Sequence, residues 1–303
     1  MIQKLVVGAN LTVEGAVVEW EQWLRSVSAS DRTADNHVMF VRAWMRDTKL
    51  ANKKITSIAE QDISKWINRD DGAKFASKRV KLAALRSLFN FCSIRQYLNG
   101  DPSRAVRVKA KLLSHEQKEP RRKTCFTDEE IKRIVFYLSE QMLELDLTPD
   151  RTPAQDHRLA VTRFWYCATL IGRYAGLRLG DICCLERASL AKPGKLIVWT
   201  DKTNTRVELD LDENLARGIA AIPASTSKKL CFPEQDAIMR GPQRAKLSVQ
   251  FSRILQAVKI RGHSFHDLRH SFCSDCKRRG IPTPHIAKLV GHADEETTKV
   301  YLH

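Results

Sequence analysis

The chain has 303 residues, an ordinary apolar share of 43% and a formal net charge of +16. This length allows two domains with sizeable cores, and the excess of Lys and Arg favours DNA or RNA as the partner over a charge that serves solubility alone. No apolar stretch reaches the ~20 residues that span a bilayer, and the N-terminus lacks the features of a signal peptide. We therefore expect a cytoplasmic protein (nucleoid-associated if the source is prokaryotic) whose cysteines are reduced.

The N-terminal third predicts four helices. Apolar residues recur at helical spacing after Thr12, a predicted N-cap, then over Val38–Met45 and in a short stretch that ends at Ile67. A longer helix is predicted from about Ala73 to Leu98. Its apolar side is expected to carry Val80, Ala84, Leu88 and Phe91.

The charges on this fourth helix are almost all positive, over the range from Lys74 to Arg95. A polar helix face is usually only solvated, but this bias favours a face that contacts DNA phosphates. The residues expected there are Lys74, Lys78, Arg79, Lys81 and Arg86.

A basic linker is predicted next, over residues 104–124. It includes Arg121, Arg122 and Lys123, and Pro120 breaks any helix there. Such a linker would suit a protein that closes around a duplex, although a plain solvated tether explains it equally well. The linker separates predicted domains at residues 1–103 and 125–303.

The second domain is predicted to be mostly helical with a small antiparallel sheet. A capping box at Thr127–Glu130 opens its first helix. A polar stretch from about Leu147 to Asp156 precedes a strongly apolar helix, about Leu159–Tyr174, that Gly176 ends. Two β runs follow, Lys195–Trp199 and Thr205–Leu209, joined by a turn at Thr200–Asn204. The fold class is therefore mainly α, with a helical N-terminal domain and a mixed α/β second domain.

Three motifs in the second domain carry chemistry. They are Gly176-Leu177-Arg178-Leu179-Gly180-Asp181, His266-Asp267-Leu268-Arg269-His270 and Gly291-His292, followed by Tyr301. Arginine suits a phosphodiester because its planar, permanently charged fork can hold two oxygens. His266 and Arg269 are three residues apart, so they share a face in the first turn of a helix that Ser264 is predicted to cap. The free N–H groups of that turn favour a phosphate.

Tyr301 is the candidate nucleophile. A phenol with a pKa of about 10 attacks poorly, but two guanidinium groups would favour the phenolate and a histidine could accept its proton. We predict His266 as that base, with His292 bonding the phosphate or assisting the nucleophile. A tyrosine near a C-terminus is by itself more often a packing residue, so this assignment depends on the surrounding motifs.

The order and spacing of these motifs resemble the tyrosine recombinase (phage integrase) family over most of residues 176–303. The resemblance implies a site-specific recombinase in which Tyr301 forms a 3′-phosphotyrosyl link and frees a 5′-hydroxyl. It also implies that Lys202, on a hairpin turn, protonates the leaving oxygen, with Lys195 as the fallback. Asp181 would hold an arginine or histidine in place, or would simply be a buried partner of Arg178. The N-terminal helices resemble the family's core-binding (SAM-like) domain.

The resemblance further implies a homo-tetramer on double-stranded DNA, with no cofactor and no metal, since the phosphotyrosyl bond retains the energy of the phosphodiester. Most members place a tail after the tyrosine on a neighbouring protomer, and this sequence stops two residues past Tyr301. We expect that contact to be missing or its segment to lie outside this sequence, and we expect no separate arm-binding domain before the first helix.

Three alternatives stay open at this point. A type IB topoisomerase uses similar residues, although the small helical N-terminal domain favours a recombinase. A DNA-binding relative without catalysis fits the charge, and a His/Cys metal-dependent nuclease is the third. His270, Cys273 and Cys276 hint at zinc, but we expect these cysteines to pack in the core because no fourth ligand follows at a usual spacing.

Overall fold

The computed structural model describes residues 10–28, 31–109, 125–201, 203–224 and 227–291. The chain divides into two compact units, Met1–Glu119 and Pro120–His303. The described residues are mostly helical and contain one two-stranded antiparallel sheet, which confirms the predicted fold class. Among the described helices, none has both the length and the apolar character that crossing a membrane requires.

The first unit contains the four predicted helices. They are α1 (Val13–Val27), α2 (Asp31–Thr48), α3 (Glu60–Asn68) and α4 (Phe75–Ile94). Thr12 is the N-cap of α1, and its hydroxyl accepts the Gly15 N–H at 3.1 Å, as predicted. Helix α4 is shorter than predicted at both ends. At the N-terminal end, the Ala73 N–H donates to the Asp71 carboxylate in a turn before the helix. At the C-terminal end, Gln96 has a φ of 59°, which is outside the helical conformation.

Three tryptophans anchor the core of the first unit. Trp20, Trp44 and Trp66 are buried, and each indole N–H has a partner: the Ser87 hydroxyl, the Asp62 carbonyl and the Asp47 carboxylate respectively. Such pairing removes the penalty for burying a polar N–H.

Two details of the first unit differ from the sequence pattern. Val80 is 48% exposed, and Leu82 and Leu85 occupy the core side of α4 with Ala84, Leu88 and Phe91. Val106 is fully buried in this core, and the Lys109 N–H donates to the Asn68 side chain at 2.8 Å. The described part of the predicted linker therefore packs on the first unit.

The second unit contains eight described helices and the sheet. The helices are α5 (Asp128–Asp146), α6 (Pro153–Tyr174), α7 (Leu179–Cys183), α8 (Glu213–Ala220), α9 (Pro233–Arg240), α10 (Ala245–Ala257), α11 (His266–Arg278) and α12 (Thr283–Val290). The strands are β1 (Lys195–Trp199), as predicted, and β2 (Arg206–Asp210), one residue later than predicted. They pair antiparallel with Trp199 opposite Arg206 at the turn end.

Helix α6 is the central helix of this unit, and it packs against α5, α8 and α11. It begins at Pro153, six residues before the predicted start at Leu159, because Thr152 and Gln155 form a capping box and Pro153 fits the first turn. The pattern of apolar residues does not indicate this start, because the first turn of α6 is polar and solvated. The capping box predicted at Thr127 is present on α5.

Helix α12 packs on α11 through a small apolar cluster. Cys273 and Cys276 of α11 lie there with Ile286 and Val290. Burial raises the pKa of the Cys276 thiol to about 11, so the thiol stays protonated at neutral pH. These cysteines fit the predicted packing role, since they lie in the contact between α11 and α12.

Candidate active site

The Gly176 loop and helix α11 meet through one hydrogen bond. The guanidinium of Arg269, which is 1% exposed, donates through Nη1 to the Gly176 carbonyl at 2.8 Å. Gly176 follows the end of α6 with φ of +64°, a conformation that L side chains rarely adopt. A Cβ on this residue would lie 2.5 Å from Phe272 Cδ1 of α11. Glycine therefore permits the close approach that brings Arg269 to the motif of Arg178.

Asp181 lies beside both arginines. Its Oδ2 is 3.9 Å from Nη1 of Arg178, and its Oδ1 accepts the Asp201 N–H at 3.0 Å. Burial raises the pKa of the Asp181 carboxyl, while the Asp201 N–H and the charges of Arg178 and Arg269 act in the opposite direction. This position fits the predicted role of a carboxylate that holds an arginine in place.

Arg178 is the more accessible of the two arginines. It stands at the N-cap of α7 and its side chain is 22% exposed. Its Nη1 is buried and has no hydrogen-bond partner within the described chain. A buried donor without a partner costs free energy, and a phosphate oxygen is a strong acceptor for a guanidinium. The two guanidiniums thus create a local environment suited to an anion.

His266 is exposed and is the first residue of α11, so it lies in the first turn, as predicted. The Ser264 N–H and hydroxyl both donate to the Asp267 carboxylate, which forms half of the predicted capping box. The other half is not formed, because Phe265 and not Ser264 is the N-cap residue of α11. The ring of His266 packs edge-to-face on that of His270, with centroids 4.9 Å apart. His270 therefore limits the orientations open to His266.

The turn between the strands lies next to this cluster. Asp201 bonds Asp181, as described above, and the Thr203 hydroxyl donates to the Gly291 carbonyl at 3.0 Å. Lys202, the predicted proton donor, comes between these two anchored residues in the chain and lies outside the described residues. Gly291 ends α12 with φ of +64°, which confirms the predicted helix end. His292 and Tyr301 follow it and also lie outside the described residues.

Lys195, the fallback donor, lies at the opposite end of the hairpin. It pairs with Asp210 in the register, and its amine contacts the Glu208 and Asp210 carboxylates at 3.0 and 3.1 Å. These contacts raise the pKa of Lys195 and make it a poorer proton donor. These contacts weigh against Lys195, at the start of β1, as the source of the proton.

The DNA-binding residues predicted on and next to α4 separate into three groups. Lys78 donates to the Arg69 carbonyl at 2.6 Å, and Lys81 contacts the Asp71 carboxylate at 3.1 Å, so both are engaged within the unit. Lys74 is exposed at the N-cap of α4. Arg79 and Arg86 line a groove instead. Arg121, Arg122 and Lys123 lie outside the described residues.

This groove, here called the arginine groove, runs between α4 and the segment 101–108. It is lined by Arg79, Arg86, Asn90, Asp101, Arg104 and Arg107. Four arginines against a single carboxylate make it suited to an anion. Arg86 and Arg107 also donate to backbone carbonyls of the segment 104–106, which leaves Arg79 and Arg104 as the more available pair. Sequence spacing missed Arg104 and Arg107 because they fall in the segment predicted to be a linker.

The sequence motifs also missed Thr200 and Thr203, whose hydroxyl groups bond each other at 2.7 Å inside the hairpin turn. The only signal for them in the sequence is that both lie within two residues of Lys202. Within the described ranges, no group of three or more His, Cys, Asp or Glu side chains is placed to hold a metal ion.

Comparison with known proteins points to one family. The model of the phage integrase family matches residues 154–303. A tyrosine recombinase XerD of Vibrio vulnificus (strain YJ016) is 23% identical over 293 residues, which cover 93% of this chain and 87% of that protein.

Two solved structures share the fold at 17% identity. A lambda integrase dimer bound to a COC′ core site has a TM-score of 0.70 and covers 97% of this chain and 77% of its own. A lambda integrase tetramer bound to a Holliday junction has a TM-score of 0.69 and covers 96% of this chain and 80% of its own.

Proposed function

The chain belongs to the tyrosine recombinases, the phage integrase family, and on that premise we propose that it cuts and rejoins specific DNA sites through a phosphotyrosyl intermediate. One observation carries the proposal. The fold brings Arg178 and Arg269 to one loop although they are 91 positions apart by their numbers: Arg178 lies 3.9 Å from the buried carboxylate of Asp181, and Arg269 bonds the Gly176 carbonyl at 2.8 Å. This cluster is suited to a phosphate whose oxygens gain negative charge during the reaction.

The two arginines would act on the scissile phosphate. Arg269 is buried and held by the Gly176 carbonyl, so its fork is pre-organised. The buried Nη1 of Arg178 has no hydrogen-bond partner among the described residues, its nearest carboxylate oxygen being 3.9 Å away on Asp181, so it can donate to a phosphate oxygen. Because these charges are fixed before the reaction, they stabilise the developing charge without a reorganisation cost.

The chemical step is a balanced transesterification. The phenol oxygen of Tyr301 attacks phosphorus while its proton passes to His266, and the bond from phosphorus to the 5′ oxygen breaks. Lys202 gives a proton to that oxygen, which leaves as a 5′-hydroxyl. In the second step a 5′-hydroxyl from another strand gives its proton to Lys202 and attacks phosphorus, and the bond from phosphorus to the tyrosine oxygen breaks as that oxygen takes its proton back from His266. His292 would bond a phosphate oxygen throughout.

The working assembly we propose is a homo-tetramer on two double-stranded DNA sites. Each chain supplies one tyrosine nucleophile, Tyr301, and hence cuts one strand. Exchange of two duplexes requires four such cuts. The lambda integrase structure of a tetramer on a Holliday junction supports this arrangement by shared fold.

The arginine groove would contact DNA phosphates in the first unit. Arg79 and Arg104 are exposed on it, whereas Lys78 and Lys81 are engaged with neighbouring residues. Replacing Arg79 or Arg104 by Gln should weaken DNA binding across sequences and reduce the slope of log K against log salt by about 1 for each phosphate that the variant no longer neutralises. Arg46→Gln is the matched control, since Arg46 is 77% exposed on α2 outside the groove.

Covalent capture tests the central proposal. The protein is mixed with a pool of duplexes nicked at varied positions, including inverted repeats that flank its own gene, and SDS-resistant adducts are isolated and sequenced. We expect adducts on one class of site, with DNA joined through its 3′ phosphate. Tyr301→Phe should abolish the adduct and retain DNA binding.

Three results would count against the proposal. An adduct that persists in Tyr301→Phe removes the nucleophile assignment. Cleavage that a chelator stops points to the metal-dependent nuclease. Relaxation of supercoiled DNA without exchange between two captured sites points to the topoisomerase alternative.

A further inference from the structure

The hairpin turn at Thr200–Thr205 is closed by its own hydrogen bonds. The Thr200 N–H donates to the Thr205 carbonyl at 3.0 Å, and the Thr200 carbonyl accepts the Asn204 N–H at 2.8 Å. The Thr205 N–H donates to the Thr200 hydroxyl at 3.1 Å. Thr200 is only 1% exposed, so these bonds are shielded from water. The turn is a compact unit rather than an open loop.

This turn is also joined to the end of α12. The Thr203 hydroxyl donates to the Gly291 carbonyl at 3.0 Å, and a hydroxyl has only one proton to give. In the 2.7 Å bond between Thr200 and Thr203 the Thr200 hydroxyl is then the donor, and this acceptor is closer than its alternative, the Thr205 carbonyl at 3.3 Å. The result is a directed chain from Thr200 through Thr203 to Gly291, which connects the turn to the residue before His292.

Close packing supports the same junction. A Cβ on Gly291 would lie 2.9 Å from Thr200 Cγ2 and 3.3 Å from Val207 Cγ2. Glycine at this position lets the hairpin and the end of α12 meet at van der Waals distance. On its other side the turn is held by the bond from the Asp201 N–H to Asp181.

We propose that Thr203 is a positioning residue for strand cleavage: its hydroxyl fixes the turn between β1 and β2 to the end of α12 and thereby constrains Lys202, its neighbour in the chain. Asp181 fixes the turn to the arginine cluster, and Thr203 fixes it to the end of α12. The turn is therefore held at both residues that flank Lys202 in the chain. This inference rests on the proposed function.

A change of leaving group separates positioning of the proton donor from general stability. Thr203→Val keeps the shape of the side chain and removes the hydroxyl. Its rate of adduct formation is measured on two DNA substrates of one sequence, with either oxygen or sulfur bridging phosphorus and the 5′ carbon. A thiolate leaves without a proton, since thiols ionise near pH ~8.5, so the sulfur substrate bypasses the donor.

We expect Thr203→Val to react roughly 10- to 100-fold more slowly than the unmodified protein on the oxygen substrate, as for a misplaced catalytic group. On the sulfur substrate it should react at nearly the unmodified rate. Lys202→Ala is the reference for loss of the donor and should show the same rescue. Thr203→Ser keeps the hydroxyl and should be near normal on both substrates.

Thr162→Val is the matched control, because the Thr162 hydroxyl bonds the Arg158 carbonyl of its own helix. Should Thr203→Val fail to bind DNA, Thr203→Ala replaces it, since that change removes the same hydroxyl bond to the Gly291 carbonyl without placing a methyl group beside Thr200, and it must show the same sulfur rescue.

The outcomes are distinct. If Lys202→Ala is rescued and Thr203→Val is equally slow on both substrates, or normal on both, the inference is overturned. If Lys202→Ala is not rescued, the role of the lysine is wrong and the inference is lost with it. If the unmodified protein forms no adduct on either substrate, the proposed function itself fails.

Discussion

The contact between Gly176 and helix α11 can be tested by a series of three glycine substitutions. Gly180→Ala introduces a methyl group at ordinary φ with nothing within 4 Å. Gly194→Ala introduces it at φ of +73°, also in open space. Gly176→Ala introduces it at φ of +64° and 2.5 Å from Phe272. The series separates backbone strain from steric overlap within one unit.

The expected magnitudes follow from these environments. Gly180→Ala should be neutral or stabilise by up to about 1 kcal/mol, because alanine restricts the unfolded chain. Gly194→Ala should destabilise by about 1 to 2 kcal/mol, the cost of a left-handed conformation. Gly176→Ala adds overpacking of about 1 to 3 kcal/mol, for a total of roughly 2 to 5 kcal/mol. Phe272 is half-buried and can yield in part, which favours the lower end of that range.

Urea denaturation of the full chain measures these differences, and adduct formation provides a second readout. Displacement of the Gly176 carbonyl moves the acceptor of Arg269, so Gly176→Ala should slow adduct formation by up to ~100-fold. Gly194→Ala should leave that rate unchanged. A Gly176→Ala protein no less stable than Gly194→Ala would refute the close approach and the geometry derived from it.

Three further predictions concern single side chains of the second unit. Burial raises the pKa of Asp181, so between the unfolded and folded pKa values the folded state binds more protons than the unfolded state. The unmodified protein therefore loses stability as the pH rises through that window, whereas Asp181→Asn does not. Denaturation at a series of pH values should show the stability of Asp181→Asn, relative to the unmodified protein, rising across the window and levelling off above it. Arg173→Met should lower the free energy of unfolding by about 1–3 kcal/mol, because Arg173 is buried between Asp128 and Asp275, and Arg173→Lys should retain part of it. Thr127→Ala should cost about 1 kcal/mol through the lost cap of α5, and Thr127→Ser should not.

The sequence by itself determined the residue types of the site and most of the helices. Caps at Thr12 and Thr127, the stop at Gly176 and the helix end at Gly291 are local signals, because each depends on residues within one or two turns of the chain. The motif of His266 and Arg269 is local for the same reason, since residues three apart share a helix face.

Only the tertiary structure decided which of these groups meet. The bond from Arg269 to Gly176 joins residues 93 apart, and that from Thr203 to Gly291 joins residues 88 apart, so no local period encodes either one. Folding likewise engaged Lys78 with the carbonyl of Arg69, although the charge pattern had placed this lysine on the DNA-facing side. Composition counts charges, but the packing of helices decides which charges are neutralised by neighbours and which are left for a phosphate.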